Sequence, residues 1–273
     1  MSLPAPVRPV SRRAWQDGAW LEGQRAVPEE TAVAFTYDRT THAVMMASPS
    51  DLEDFAVGFS LTEGIVSAPD QIEGLEIVAA ETGIELRMAI ARPQGDAFVR
   101  RRRRLAGPTG CGLCGLESLA EAVRPPPRVG AGSMLAAETL TAALADLAGA
   151  QPLNQQVRAL HAAGFWRPGT GLVAAREDVG RHNALDKLAG ALARAAMPAS
   201  EGVLLLTSRV SVEMVQKAAM LGVPVMAAIS APTALAIRTA DAAGITLAAV
   251  ARTDGFELFT HGQRIRGAVD HGG

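Results

Sequence analysis

Cys111 and Cys114 are the two cysteines of a 273-residue chain. They stand three positions apart in Thr109-Gly-Cys-Gly-Leu-Cys-Gly115, shortly after an unbroken run of arginines, Arg100 to Arg104. A buried structural thiol has apolar neighbours; here glycines leave the sulfur reachable. Three chemistries use such a pair: a redox dithiol, half of a metal site, or a sulfur carrier. Structural zinc needs four ligands, usually in two pairs, and His42, His161, His182, His261 and His271 include no spacing of three to five. A zinc deaminase needs H-x-E followed by P-C-x-x-C. Pro108 lies three residues before Cys111, and no histidine has a glutamate two positions on. No metal is therefore expected. A thioredoxin-like pair opens a helix near a βαβ unit, whereas Gly110, Gly112 and Gly115 favour a flexible loop; redox chemistry stays open. A carrier thiol must be exposed, attack as thiolate and reach an acceptor. Nearby arginines favour the thiolate and the glycines supply reach. The plain alternative for the arginine run is a solvated face.

A second set of polar residues follows the apolar runs of the C-terminal half. Leu172–Ala175, Val203–Leu206, Val223–Ile229 and Ile245–Val250 alternate with helix-like segments at 183–196, 212–221 and 233–243. That alternation predicts an α/β fold with a mostly parallel sheet. Ligands of such sheets bind beyond the carboxyl ends of the strands, at helix N-termini. The four junctions carry Glu177 to Asn183 with His182, Thr207 to Ser211 with Ser208, Ser230 to Thr233, and Arg252-Thr253-Asp254-Gly255. Each alone reads as a helix cap, and His182 is as easily structural as catalytic. Four on one edge, three with arginine, point to a phosphate- or nucleotide-binding rim, with Ser208 and Thr233 placed to meet phosphate oxygens.

Upstream, a smaller α/β region is expected. Ala32–Tyr37 and His42–Ala47 flank a polar turn and predict a hairpin. Ser50 with Glu53 predicts a capped helix that Gly64 ends. Ile84, Leu86, Met88 and Ile90 alternate with wetter residues and predict a strand. Pro125-Pro126-Pro127 reads as a linker. The expected division is a tail over 1–30, an N-terminal region over 31–124 ending in the cysteine loop, and a C-terminal domain over 125–273. The net charge of −2 gives no global field for nucleic acid. The absence of a long apolar run or an apolar leader predicts a cytoplasmic protein away from membranes.

The cysteine motif, Glu177-Asp-Val-Gly-Arg-His-Asn-Ala-Leu-Asp-Lys187 and Ser208-Arg-Val-Ser-Val-Glu-Met-Val-Gln-Lys217 resemble the formate dehydrogenase accessory sulfurtransferase family, the FdhD proteins. Met45-Met-Ala-Ser-Pro49 and Gly58-Phe-Ser-Leu-Thr-Glu-Gly64 resemble it too, so the likeness runs from about Val33 to His261. It implies a sulfurtransferase that takes sulfur from a cysteine desulfurase as a persulfide on Cys111, with Cys114 as the second thiol. The acceptor it implies is the molybdenum cofactor, bis-molybdopterin guanine dinucleotide, which formate dehydrogenase requires; GDP would be a partial mimic. The implied cofactor segment is Val250, Ala251, Arg252, Thr253, Asp254 and Gly255. The likeness further implies a cytidine-deaminase-like C-terminal domain and a homodimer. The competing expectation is a non-catalytic chaperone that binds the cofactor.

Overall fold

The computed structural model describes residues 2–91 and 125–267. Cys111, Cys114 and Arg100 to Arg104 lie outside the described residues. The expected N-terminal tail contains a hairpin, β1 (Val7–Gln16) and β2 (Ala19–Pro28). Asp17 and Gly18 turn it with positive φ at both positions, 52° and 79°, which is what a two-residue hairpin turn demands. Its strands mix polar and apolar residues on both faces and are largely exposed, so they lack the alternation that marks a half-buried strand.

The next unit is a four-stranded sheet in the order β4-β3-β6-β5. Its strands are β3 (Thr31–Tyr37), β4 (Thr40–Ala47), β5 (Ile72–Ala80) and β6 (Gly83–Ile90). The β3–β4 hairpin and the alternation of β6 match expectation: Ile84, Leu86, Met88 and Ile90 are buried. Helix α1 (Leu52–Thr62) packs Phe55 and Phe59 on Phe35. The expected capping box is not formed. Asp51 caps α1 in the left-handed region without a side-chain bond, and the Glu53 carboxylate pairs with Arg194. Gly64 ends the helix with φ 67°, as expected.

The C-terminal unit is a six-stranded sheet. Strand β7 (Leu135–Ala136) precedes it, and helices α2 (Ala137–Gly149) and α3 (Pro152–Val157) lead into it. The sheet strands are β8 (His161–Arg167), β9 (Gly171–Asp178), β10 (Val203–Leu206), β11 (Val225–Ala228), β12 (Thr246–Arg252) and β13 (Gly255–Thr260), in the order β13-β12-β11-β10-β8-β9. A last strand, β14 (Ile265–Arg266), pairs with β7. The expectation of a mostly parallel sheet needs correction. Only β10–β11 and β11–β12 pair in parallel; β8 and β13 run against their neighbours. Both follow or precede a tight hairpin turn rather than a crossover helix, and tight turns make antiparallel pairs. Helices α4 (Arg181–Arg194), α5 (Val212–Met220) and α6 (Ala234–Ala243) cover one face, and α2 covers the other. No helix among the described residues is long and apolar enough to cross a membrane.

The two units meet where α1 crosses α4. A Cβ on Gly58 would lie 1.7 Å from the Asp186 carbonyl oxygen, and one on Gly190 1.9 Å from that of Asp54. Only glycine permits this backbone approach. It leaves α1 buried on the sheet side and the α4 side together, which is why Asp54, Gly58, Ser60 and Thr62 are buried beside its aromatics. Charge pairs line the crossing. Lys187 Nζ lies 2.6 Å from Asp178, Lys217 Nζ 2.8 Å from Asp186 and 2.7 Å from Glu63, and Arg176 and Arg194 both hold Asp54.

Candidate functional site

Strand β9 is antiparallel to β8, and β8 to β10, so β9, β10, β11 and β12 run in one sense. Their carboxyl ends share an edge with the start of β8. The four predicted junctions therefore do lie together, and backbone bonds join them. Thr207 N–H donates to Ala162, Ile229 N–H to Leu206, Thr233 N–H to Val210 and Val250 N–H to Ser230, at 3.0 to 3.4 Å. The Arg252 guanidinium folds over the rim and donates to the Ile229 and Ala251 carbonyls at 2.8 and 2.7 Å.

Among the predicted residues, His182 stands in the first turn of α4, half-buried, with Nε2 3.8 Å from Glu213 Oε2. That is too long for a hydrogen bond. Ser208 is buried and its hydroxyl donates to the Arg209 carbonyl. Ser230 is half-buried in its loop. Thr233 caps α6, its hydroxyl accepting from Ala236 N–H at 3.2 Å, so its side chain is already engaged. Val250 has φ 54°, a region a β-branched residue rarely enters, at a bulge between Ala249 and Arg252. Ala251 is buried, Thr253 and Asp254 form the exposed turn, and Gly255 opens β13.

The rim also gathers residues that sequence reasoning did not select. His161 opens β8, and its pKa is pushed below the ordinary histidine value by burial and then by Arg181, with Arg209 and His182 adding and Asp178 opposing. Glu213 is held down to about 2, first by His182 3.8 Å away, with its own backbone N–H helping against burial. Arg181 Nε, His182 Nε2 and Ser211 Oγ are shielded from water and have no hydrogen-bond partner among the described residues. Buried polar atoms are normally bonded. Three orphans around the first turns of α4 and α5, beside Arg209, suit a ligand rich in acceptor oxygens. Arg181 and Arg209 were visible as junction residues. His161 was not, because it joins the rim only once β8 is placed antiparallel. No group of three His, Cys, Asp or Glu suited to a metal ion occurs among the described residues.

Most of the remaining motif residues turn away from the rim. Asp178 accepts from Ser48 N–H and from Asn183, while Asn183 also donates to the Met46 carbonyl. Asp186 accepts from Thr62 Oγ1 at 2.6 Å and from Lys217. Burial raises the Asp186 carboxyl, with Lys217 opposing. Glu177 accepts from Leu153 and Asn154 N–H at 3.0 and 2.7 Å, capping α3.

Residues 28–266 match the family model described as the FdhD/NarQ family. A sulfur carrier protein FdhD from Agrobacterium fabrum is 55% identical over 97% of this chain and 98% of its own length. Its counterpart from Brucella abortus is 55% identical over 94% of this chain and 96% of its own, and that from Cupriavidus necator 47% over 94% and 88%. The fold matches the crystal structure of a candidate formate dehydrogenase accessory protein from Desulfotalea psychrophila, with TM-score 0.76, 23% identity, and coverage of 95% of this chain and 99% of that one. Near full-length identity of this order leaves one conclusion: the chain belongs to the FdhD/NarQ family.

Proposed function

We propose that this protein is a sulfur carrier for formate dehydrogenase maturation. Its relatives' names and its resemblance to the accessory sulfurtransferases support the role. In this reading the Cys111 thiolate attacks the outer sulfur of a cysteine desulfurase persulfide. The sulfur–sulfur bond forms at Cys111, and the desulfurase leaves as its own thiolate. Arg100 to Arg104 favour the attacking thiolate, and Cys114 is secondary. The sulfur is destined for bis-molybdopterin guanine dinucleotide, bound as substrate at the rim of a deaminase-like sheet, and the protein works as a cytoplasmic homodimer. The observation that supports the rim as acceptor site is its set of three buried orphans, Arg181 Nε, His182 Nε2 and Ser211 Oγ, which phosphate oxygens would satisfy.

Two measurements test this. Labelled sulfur from cysteine and a desulfurase should appear on Cys111 in the wild type and in Cys114→Ser, and vanish in Cys111→Ser. GDP should raise the melting temperature, because it binds only the folded state, and Arg181→Gln should weaken that effect. If Cys111→Ser still activates formate dehydrogenase fully, the protein is a cofactor-binding chaperone instead. A melting point unmoved by millimolar GDP would remove the rim from the reading.

A further inference from the structure

The family match begins at residue 28, so the hairpin β1–β2 lies before it. Ten paired residues at about 3.4 Å each make an arm of about 30 Å. From Arg8 to Arg25 every residue but Ala14 is exposed. Its two faces differ. On one, Trp15 pairs across from Trp20 with ring centroids 5.4 Å apart, and Arg13 bonds Glu22 at 2.7 Å while lying over Trp20. That face stabilises the hairpin itself, which two strands alone scarcely manage in water. The other face carries Val10, Arg12, Ala14, Leu21 and Arg25. Val10 and Leu21 are 40% and 49% exposed. Among the described residues, neither Arg12 nor Arg25 has a carboxylate partner, whereas Arg8 and Arg13 both do. Among the described residues, no ring contact or ion pair joins the residues of this second face to one another.

The base of the arm fixes where it stands. Strand β2 contacts α3, and the N-terminus of α3 is capped by the Glu177 carboxylate, one residue from the Asp178 end of β9. The arm is thus rooted beside the rim.

We propose that the hairpin is a docking arm whose Val10–Leu21–Arg12–Arg25 face binds an acidic surface with apolar slots on the protein that receives the cofactor. The choice of occupant rests on the function proposed above; the chemistry of the occupant rests on charge complementarity. The hairpin sets four arginines against Asp17 and Glu22, in a chain whose net charge is −2. Arginine is among the residues that dominate interface energetics, and paired surface charges steer encounter.

The test uses the full-length protein and purified apo-formate dehydrogenase in a binding titration. Two variants leave the tryptophan pair intact: Arg12→Glu/Arg25→Glu and Val10→Ser/Leu21→Ser. Each should raise the Kd about tenfold or more, and the charge reversal should also flatten the wild-type loss of affinity with salt. Sulfur labelling of Cys111 and stabilisation by GDP should stay at wild-type levels in both. Unchanged affinity in both variants overturns the proposal, as does a wild type that does not bind. Loss of affinity for the desulfurase alone assigns the arm to the donor and overturns it. Dissociation of a wild-type dimer by the variants, in sedimentation, makes the occupant a second copy and overturns it too. If the arm binds as expected while Cys111 takes no label, the sulfur-carrier reading fails and the arm stands.

Discussion

Replacing Gly58 with alanine tests the crossing of α1 and α4 most directly. The added Cβ would meet the Asp186 carbonyl oxygen at 1.7 Å, the Gly190 nitrogen at 2.6 Å and the Asp186 carbonyl carbon at 2.7 Å, where ordinary contact begins at 3.4 Å. All three are backbone atoms, so no rotamer change relieves the clash, and the helices must part by more than 1 Å. Overpacking of a core costs about 1–3 kcal/mol. This case belongs at the top of that range, because parting the helices also stretches Thr62–Asp186 and Asp54–Arg194, both now 2.6 Å. About 3 kcal/mol should lower the melting temperature by roughly 6–12 °C in a protein of this size. Calorimetry reads it. Gly190→Ala should behave alike, since its Cβ meets Asp54 at 1.9 Å. Gly149, inside the last turn of α2 with nothing within 4 Å, is the control: alanine there should stabilise by about 0.5–1 kcal/mol. A Gly58→Ala protein that melts within about 2 °C of the wild type would refute the close approach.

Three further outcomes follow from the same geometry. Lys217→Met leaves the buried Asp186 without its cation and should cost about 3–5 kcal/mol in urea unfolding, while adding Asp186→Leu should restore most of it; no recovery in the double variant would count against a pairwise account. Glu213 sits near pH 2 in the fold against 4.5 unfolded, so its contribution is whole above about pH 4.5 and fades as the pH falls toward 2. Glu213→Gln should therefore trail the wild type at pH 7, by about 1 kcal/mol once solvent screening is allowed for, and the gap should close in acid; a gap independent of pH contradicts this. Val250→Gly removes a half-buried side chain but also a left-handed β-branched residue, worth about 1–3 kcal/mol of strain, so the net loss by thermal melt should stay under about 1 kcal/mol; a loss of several would mean that Val250 carries no strain.

What the sequence disclosed depended on whether a segment's neighbours leave a local trace. Strand β6 was legible because one face is dry and one wet, and the core strands β10, β11 and β12 because short apolar runs alternate with helices. Strand β8, His-Ala-Ala-Gly-Phe-Trp-Arg, was missed. Its small residues match close neighbours: a Cβ at Gly164 would come within 2.8 Å of Leu147. Strand β5 was missed because its register breaks between Ile72 and Gly74, which spoils the alternation. The rim was half legible. Polar residues after each strand marked the edge, yet Thr233 proved to be a helix cap, and the orphaned atoms belong to Arg181, His182 and Ser211. Within one motif, Asn183, Lys187, Gly190 and Arg194 recur at the spacing of a single helix face. That spacing announces a contact without saying with what; the partner, α1, lies more than a hundred residues away.

Why that contact carries charge bears on how the molecule works. Burying Lys217 with Asp186 and Lys187 with Asp178 sacrifices hydration that apolar side chains would not, and such pairs often add nothing to stability. What they add is register. Two glycine-lined helices in backbone contact could slide along one another, because small side chains interlock poorly. Ser48 bonds both Asp178 and Lys187 across the two units, and Thr62 and Glu63 bond Asp186 and Lys217, so the crossing tolerates one position only, since displacement strips buried charges of these bonds. Helix α4 is therefore pinned, and its first turn holds Arg181 and His182 at the rim. Helix α1 belongs to the sheet whose last strand, β6, leads into the segment of Cys111. The same charges thus hold the rim in fixed relation to the sheet that α1 covers, a relation that an apolar crossing of equal stability would leave free to shift and on which the sulfur delivery proposed above would draw.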